Sequence, residues 1–278
     1  MPVAELLVPG PCALGEGPLW HDGRIWWIDI LAPAVHACDP DGGAVGSWPM
    51  PAPVGCLVPT TGGGFLVGLA NGVHAWRPGS TPVPVAPHRV PGHRLNDGKP
   101  SPEGILLVGG MALDERPGAS HLFRIDGDRL TPLLSGITIS NGLAWSADGG
   151  TCYYIDSGTG RVDALAWRDA ALHDRRPVWT AERGTPDGMA IDAEGLLWVA
   201  LWDGGAVVRI DPRRGVVVAT VPLPCRRPTS CAFVGPRRDR LAVTSARTGL
   251  ADPGPGDGAL WLLDPGVAGA PVPMAAWP

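Results

Sequence analysis

Positive charge is scarce in this chain. Lys and Arg number 22 against 27 Asp and Glu, a formal net charge of −5, and the pairs Arg175-Arg176, Arg213-Arg214, Arg226-Arg227 and Arg237-Arg238 are scattered. Without a basic stripe there is no electrostatic footprint for nucleic acid, and these pairs read as solvated turn charges. No run of about 18 apolar residues occurs, so no membrane-crossing helix is expected. The opening segment MPVAELLVPGPCALGEG has neither a basic start nor an apolar stretch of useful length, which points to a cytoplasmic protein. Six cysteines (Cys12, Cys38, Cys56, Cys152, Cys225 and Cys231) lack CxxC spacing. They read as buried free thiols rather than a disulfide framework or a thiolate zinc site. Also absent are a GxSxG nucleophile elbow, a P-loop, a GxGxxG leading into a helix, and HExxH spacing among the seven histidines, of which only His93 falls near the candidate site proposed below.

Turn formers, by contrast, abound. The 40 Gly and 32 Pro make up about a quarter of the chain, yet 45% of it is hydrophobic and 12 residues are Trp. Disorder is thereby excluded, and so are long helices; many short strands joined by tight turns remain. A turn signal recurs between two apolar runs around positions 22, 62, 103, 148, 194 and 239, at spacings of 40, 41, 45, 46 and 45 residues. That period fits propeller blades. Each unit reads as a strand, a Gly-containing turn, a second strand and often a third, as in HLFRIDGD, AVVRIDP and ALWLLDP. The expected fold is all-β, a six-bladed β-propeller occupying residues 1–278 as one domain, its sheet edges protected by closure into a ring. Trp26, Trp27, Trp198 and Trp261 suit packing between blades, whereas Trp20, Trp145 and Trp202 lie nearer strand ends and could border a pocket.

Aligning the units on their first strands superposes Glu16-Gly17-Pro18, Asn141-Gly142-Leu143 and Asp187-Gly188-Met189. Each is an oxygen donor followed by Gly, at the start of a strand that lines the channel, so the donors converge near one end of the axis. The glycine permits close packing of backbone there. Two carboxylates and an amide carbonyl match one divalent cation, calcium, magnesium or manganese before zinc or iron(II). Without it, Glu16 and Asp187 would be like charges forced together. Asn-Gly and Asp-Gly are equally the commonest hairpin signals, so ordinary turns remain the alternative reading. The third unit carries His93-Arg94-Leu95-Asn96-Asp97-Gly98-Lys99. By strand alternation Arg94 and Asn96 share a face and offer a planar donor fork and an amide to a polyhydroxylated ligand, with Asp97 and Lys99 pointing away. A solvated loop with a turn at Asp97-Gly98 is the competing reading.

The segments GEGPLW, RLNDGKPSPEG, SNGLAWSADG, TPDGMAIDAEGLLWVA and PTSCAFVG, taken together, resemble the family of senescence marker protein (regucalcin), gluconolactonases and luciferin-regenerating enzymes, and the likeness spans nearly the whole chain. It implies a six-bladed propeller with one divalent ion held by Glu16, Asn141 and Asp187, and substrate contacts at Arg94, Asn96 and, from the GTMxxE stretch, Asp114. Asp114 is one methylene shorter than the family's Glu, and Ser101 stands where the family has Asp, so the sugar contacts are altered. The implied activity is hydrolysis of a sugar lactone, an aldonolactone such as a pentono- or hexonolactone, the ion polarising the carbonyl and acidifying water while Asp187 either takes the proton or only orients the water. The alternatives are an esterase or organophosphatase, as in propellers resembling diisopropyl fluorophosphatase, and a non-enzymatic calcium-binding regulatory propeller. WD-repeat docking is disfavoured because the blades lack the paired GH and WD signatures, each dipeptide occurring only once, at Gly92-His93 and Trp202-Asp203. No obligate protein partner is expected.

Overall fold

The computed structural model describes residues 4–10 and 12–278. Among them there is one 3-10 turn, Ser157–Thr159, and no α-helix; the rest of the regular structure is strand. The strands form six four-stranded antiparallel sheets. Their innermost strands are Gly15–His21, Val54–Pro59, His93–Pro100, Ser140–Trp145, Thr185–Ile191 and Pro228–Val234, in blades 1 to 6 respectively. Each packs against the next, and the sixth packs against the first, so the ring is closed. Blade 6 is completed by both ends of the chain: Glu5–Val8 pairs with Leu260–Leu263 as its outermost strand.

The expected six-bladed propeller is therefore observed, and its core is divided as the repeat demands. Six apolar clusters fill the six interfaces between consecutive blades. Trp26, Trp27, Trp198 and Trp261 lie in them, each at most 5% exposed. Trp145 joins them, buried edge-on against Trp167 with its Nε1–H donated to the Pro100 carbonyl, so it is a core residue. All six cysteines are buried free thiols.

Beyond the strands anticipated from sequence, every blade has a fourth. Val83–Pro87, Ala171–Thr180 and Val216–Pro222 are largely exposed outer edges carrying Pro and, in one case, four consecutive charged or His positions, His173 to Arg176. Proline and charge on an edge prevent further strand pairing and also erase the alternation by which a strand is recognised.

Each innermost strand has an extra residue near its start. The register slips between Glu16 and Leu19, Val54 and Cys56, Leu95 and Gly98, Ser140 and Leu143, Pro186 and Met189, and Pro228 and Ser230. Such bulges re-aim side chains, and these sit at the end of the channel where the candidate ligands lie.

The opposite end is crossed by the C-terminal tail. Gly269 pairs with Asp192 beside the inner turn of blade 5, and its N–H bonds Arg238 of blade 6. Ala275 then lies parallel to Thr60 in blade 2, Ala276 N–H bonds the Gly104 carbonyl in blade 3, and the Trp277 carbonyl accepts from Gly62. Blades 5 and 2 face each other across the ring, so residues 270–274 run across this end of the axis. Ala275 is 1% exposed within the cluster between blades 2 and 3. Ala275→Asp buries an unpaired carboxylate there and should cost about 2–4 kcal/mol, measured as a lowered urea midpoint with unchanged slope.

Candidate metal centre and ligand site

The bulges deliver the side chains that alternation alone would scatter. Glu16, Asn141 and Asp187 stand at equivalent places in blades 1, 4 and 5 and are buried at 8%, 5% and 6% exposure. Two of the glycines that follow are demanded by space: a Cβ on Gly142 would lie 2.8 Å from the Asp187 carbonyl oxygen, and one on Gly188 would meet the Ser230 side chain at 2.0 Å, because neighbouring blades approach too closely there for any side chain. Gly17 has room for a Cβ but is held at φ 53°, which side chains disfavour.

Glu16 and Asp187 lie within hydrogen-bond reach of each other. Burial, then the nearby Asp97 charge, push Glu16 up to about 8. Burial, then the Glu16 charge, hold Asp187 well above the ordinary carboxylate range. Asp187 Oδ1 is buried with no hydrogen-bond partner. Two carboxyls so placed share a proton or neutralise a cation. Among the described residues no three His, Cys, Asp or Glu side chains are arranged to hold a metal ion, so an ion here would draw on the Asn141 amide oxygen, a donor that hard divalent cations accept. The orphaned Asp187 oxygen and the all-oxygen donor set fit such an ion.

Asn141 is held from both sides. Its Nδ2 donates to Ser157 Oγ at 2.8 Å, and its Oδ1 accepts from Asn96 Nδ2 at 2.9 Å. Asn96 spends its second amide proton on the Ser140 carbonyl, 2.8 Å away, and its Oδ1 receives Arg94 Nη1. With both protons committed, Asn96 is a strut between blades 3 and 4 and offers a ligand only an oxygen lone pair. Arg94 is the donor that remains. It is buried, and desolvation lowers it to about 10 against the opposing pull of Glu16, Asp187 and Glu115.

Asp97 and Lys99 do not point away. The bulge between Leu95 and Gly98 breaks the alternation on which that expectation rested. Asp97 is buried in the field of Glu16 and Asp187, its Oδ2 without a partner and its own carboxyl raised by burial. Lys99, the only lysine in the chain, crosses the channel to the Met189 carbonyl of blade 5. His93 is tied to the Pro91 and Ala119 carbonyls and buttresses its own loop.

Asp114 stands apart from the others. Its side chain is 60% exposed and paired with Arg116 at 2.8 Å, and that partner lowers its pKa. Its neighbour Glu115, held at φ 54°, adds a smaller pull on Arg94 to those of Glu16 and Asp187. Ser101 lies at the far end of its strand, bonding Glu103 and the Ile105 N–H within the hairpin turn, so its departure from the family pattern concerns that turn. Trp202 lies beneath the Arg227 guanidinium, 4.7 Å from ring centroid to Cζ.

Ser157 and Thr229 escaped sequence reasoning, although TCYYIDS and RIWWIDI both end a second strand in Ile-Asp. Those aspartates are anchors: Asp29 accepts from Ala13, Leu14, Leu31 and Ala32 N–H groups, and Asp156 from Thr138, Ile139 and Gly158. They fix the loops entering blades 1 and 4, and Ser157 follows directly.

A family model described as the SMP-30/Gluconolactonase/LRE-like region matches residues 14–247. Regucalcin from Xenopus laevis is 38% identical over 261 residues, covering 88% of this chain and 87% of the relative. Among solved structures, a luciferin-regenerating enzyme superposes with a TM-score of 0.91 at 31% identity over 100% of both chains. A calcium-binding protein, regucalcin, from Agrobacterium tumefaciens does so with a TM-score of 0.91 at 28% identity, over 99% of this chain and 97% of that one.

Proposed function

Since this chain belongs to the SMP-30/gluconolactonase/LRE-like family, we propose that it is a divalent-cation-dependent hydrolase that opens a sugar lactone, a five- or six-carbon aldonolactone, to the hydroxy acid. The observation that carries the reading is the unpartnered Asp187 Oδ1 beside the buried Glu16 carboxyl, at the same channel end as Arg94. Glu16, Asn141 and Asp187 would hold the cation. When bound, it supplies Lewis acidity toward a carbonyl oxygen and eases deprotonation of water.

The protein's own groups do the rest. Water adds to the lactone carbonyl carbon, the ring carbon–oxygen bond breaks, and the ring oxygen leaves as a hydroxyl with a proton. Asp187 would take the proton that the water gives up. Arg94, with Nη1 committed to Asn96 and Leu95, presents its remaining N–H groups to ligand hydroxyls, a task for which its planar fork is suited. Burial of the site keeps bulk water from competing for these bonds.

A pH-stat assay with a panel of sugar lactones tests the proposal, comparing chelated protein with protein resupplied with calcium, manganese, zinc or iron(II). Acid release should accelerate with at least one ion. No acceleration of any lactone sinks the reading, and turnover of aryl esters or organophosphates in its place would move the function to a general esterase. Arg94→Leu should raise KM by about 10- to 100-fold with a smaller loss in kcat, because it removes a donor that binds ground and transition states alike. Asp114→Ala, confined to an exposed ion pair, should change KM less than two-fold, and Glu115→Ala should change it more. The reverse order in steady-state kinetics would return the ligand contact to Asp114.

A further inference from the structure

The residue before each candidate metal ligand is gripped through its carbonyl oxygen by a side chain from the preceding blade. Asn96 of blade 3 donates to the Ser140 carbonyl, Ser157 of blade 4 to the Pro186 carbonyl at 2.7 Å, and Thr229 of blade 6 to the Gly15 carbonyl. The backbone leading into Asn141, Asp187 and Glu16 is thus located by the neighbouring blade as well as by its own sheet. Blade-to-blade spacing and ligand position are one variable.

Ser157 does more than the others. A hydroxyl has a single proton, and this one is committed to the Pro186 carbonyl. Its lone pair must then receive the second contact, Asn141 Nδ2 at 2.8 Å. A side-chain amide can rotate to exchange its oxygen and nitrogen, but here only the nitrogen meets an acceptor. Rotating it would set Asn141 Oδ1 against the Ser157 oxygen and Nδ2 against Asn96 Nδ2, a donor. Ser157 is itself buried, so water does not substitute for it.

We propose that Ser157 is a positioning residue: it locks the Asn141 amide with its oxygen turned to the channel and, through Pro186, fixes the distance at which Asn141 and Asp187 act together. This rests on the metal-centre reading above. It requires the hydroxyl to do two things at once, as acceptor toward blade 4's own ligand and as donor toward the strand that carries the next.

The test is calorimetric titration of calcium, and separately manganese, into chelator-stripped protein, with and without Ser157→Ala, in the native background and in Asn141→Asp. In the native background Ser157→Ala should weaken affinity by about ten-fold or more, the usual effect of losing a hydrogen bond behind a metal ligand. In Asn141→Asp the carboxylate has no donor end to lock and only the contact to Pro186 is lost, so the same change should weaken affinity clearly less than in the native background. Equal weakening in both backgrounds, or no weakening in either, overturns the inference while leaving the metal centre standing. If stripped native protein takes up neither ion, the metal-centre reading itself falls, and this inference with it. A measurement without variants guards against misfolding: in native protein the Asn141 side-chain NH2 should exchange slowly with solvent by 15N NMR. Fast exchange shows that the Ser157 bond is not made and overturns the proposal.

Discussion

Replacing Asp187 by Asn should lower calcium affinity by at least about 100-fold and lactone turnover by about 1,000-fold, yet make the chelated protein more stable at pH 8 than the native one. The two effects have one cause. Asp187 is held against Glu16 in a buried channel, where burial and then the Glu16 charge raise Asp187, while burial and then the Asp97 charge raise Glu16. With a cation bound, that pair is the attraction that holds it; with none, it is a repulsion that folding must overcome. An amide of the same shape removes a charge from both situations. The chelated variant should therefore gain about 1–3 kcal/mol in urea unfolding at pH 8 while losing its response to calcium. A variant that kept native calcium affinity would remove Asp187 from the metal centre. One that lost affinity and stability together would show that the native pair is not strained.

The second large effect is on the pH dependence of the chelated protein. Glu16 is raised in the folded state from an ordinary 4.5 to about 8, and Asp187 also moves upward. A carboxyl whose folded pKa lies above its unfolded one favours folding while protonated, so its contribution is complete below about pH 4.5 and is lost as pH rises toward 8. Chelated protein should lose a few kcal/mol over that interval. Calcium-loaded protein should not, because the ion offsets the charges that appear. The gap between the two thermal midpoints should open steadily from pH 5 to pH 8 and close below pH 5, where protonated carboxyls release the ion. A gap independent of pH would mean that Glu16 and Asp187 titrate normally and are not forced together. Asp97, raised by burial in the same channel, adds to the slope in the same direction.

The repeat was legible because each blade spells its inner hairpin with an apolar run, a Gly-containing or charged turn and a second apolar run, signals that depend only on neighbouring residues. Glu16, Asn141 and Asp187 were legible because the repeats could be laid over one another. Alternation then failed at Asp97, since a bulge is a matter of register between two strands and leaves no mark in either alone. The outer strands failed for the opposite reason: at an exposed edge nothing apolar is required of them, and Ala171–Thr180 is as polar as a loop. Nor could spacing foresee Ser157. Its partners Asn141 and Pro186 are 16 and 29 residues away, and only closure of the ring brings them to one hydroxyl. Asp114 and Glu115 differ by a single position in an exposed loop, where Asp114 is paired with Arg116 and Glu115 is held at a positive φ, neither of which the sequence marks.

The C-terminal tail gives this molecule a back wall. With residues 270–274 joining blade 5 to blade 2 at the far end of the axis and Ala275, Ala276 and Trp277 pinned to the turns of blades 2 and 3, a ligand is expected to enter and leave past Arg94. On that expectation the spent molecule has to back out before the next can come in, and the two compete for one doorway. Product should consequently inhibit by raising apparent KM alone, and the rim residues that admit a substrate should be those that time its departure.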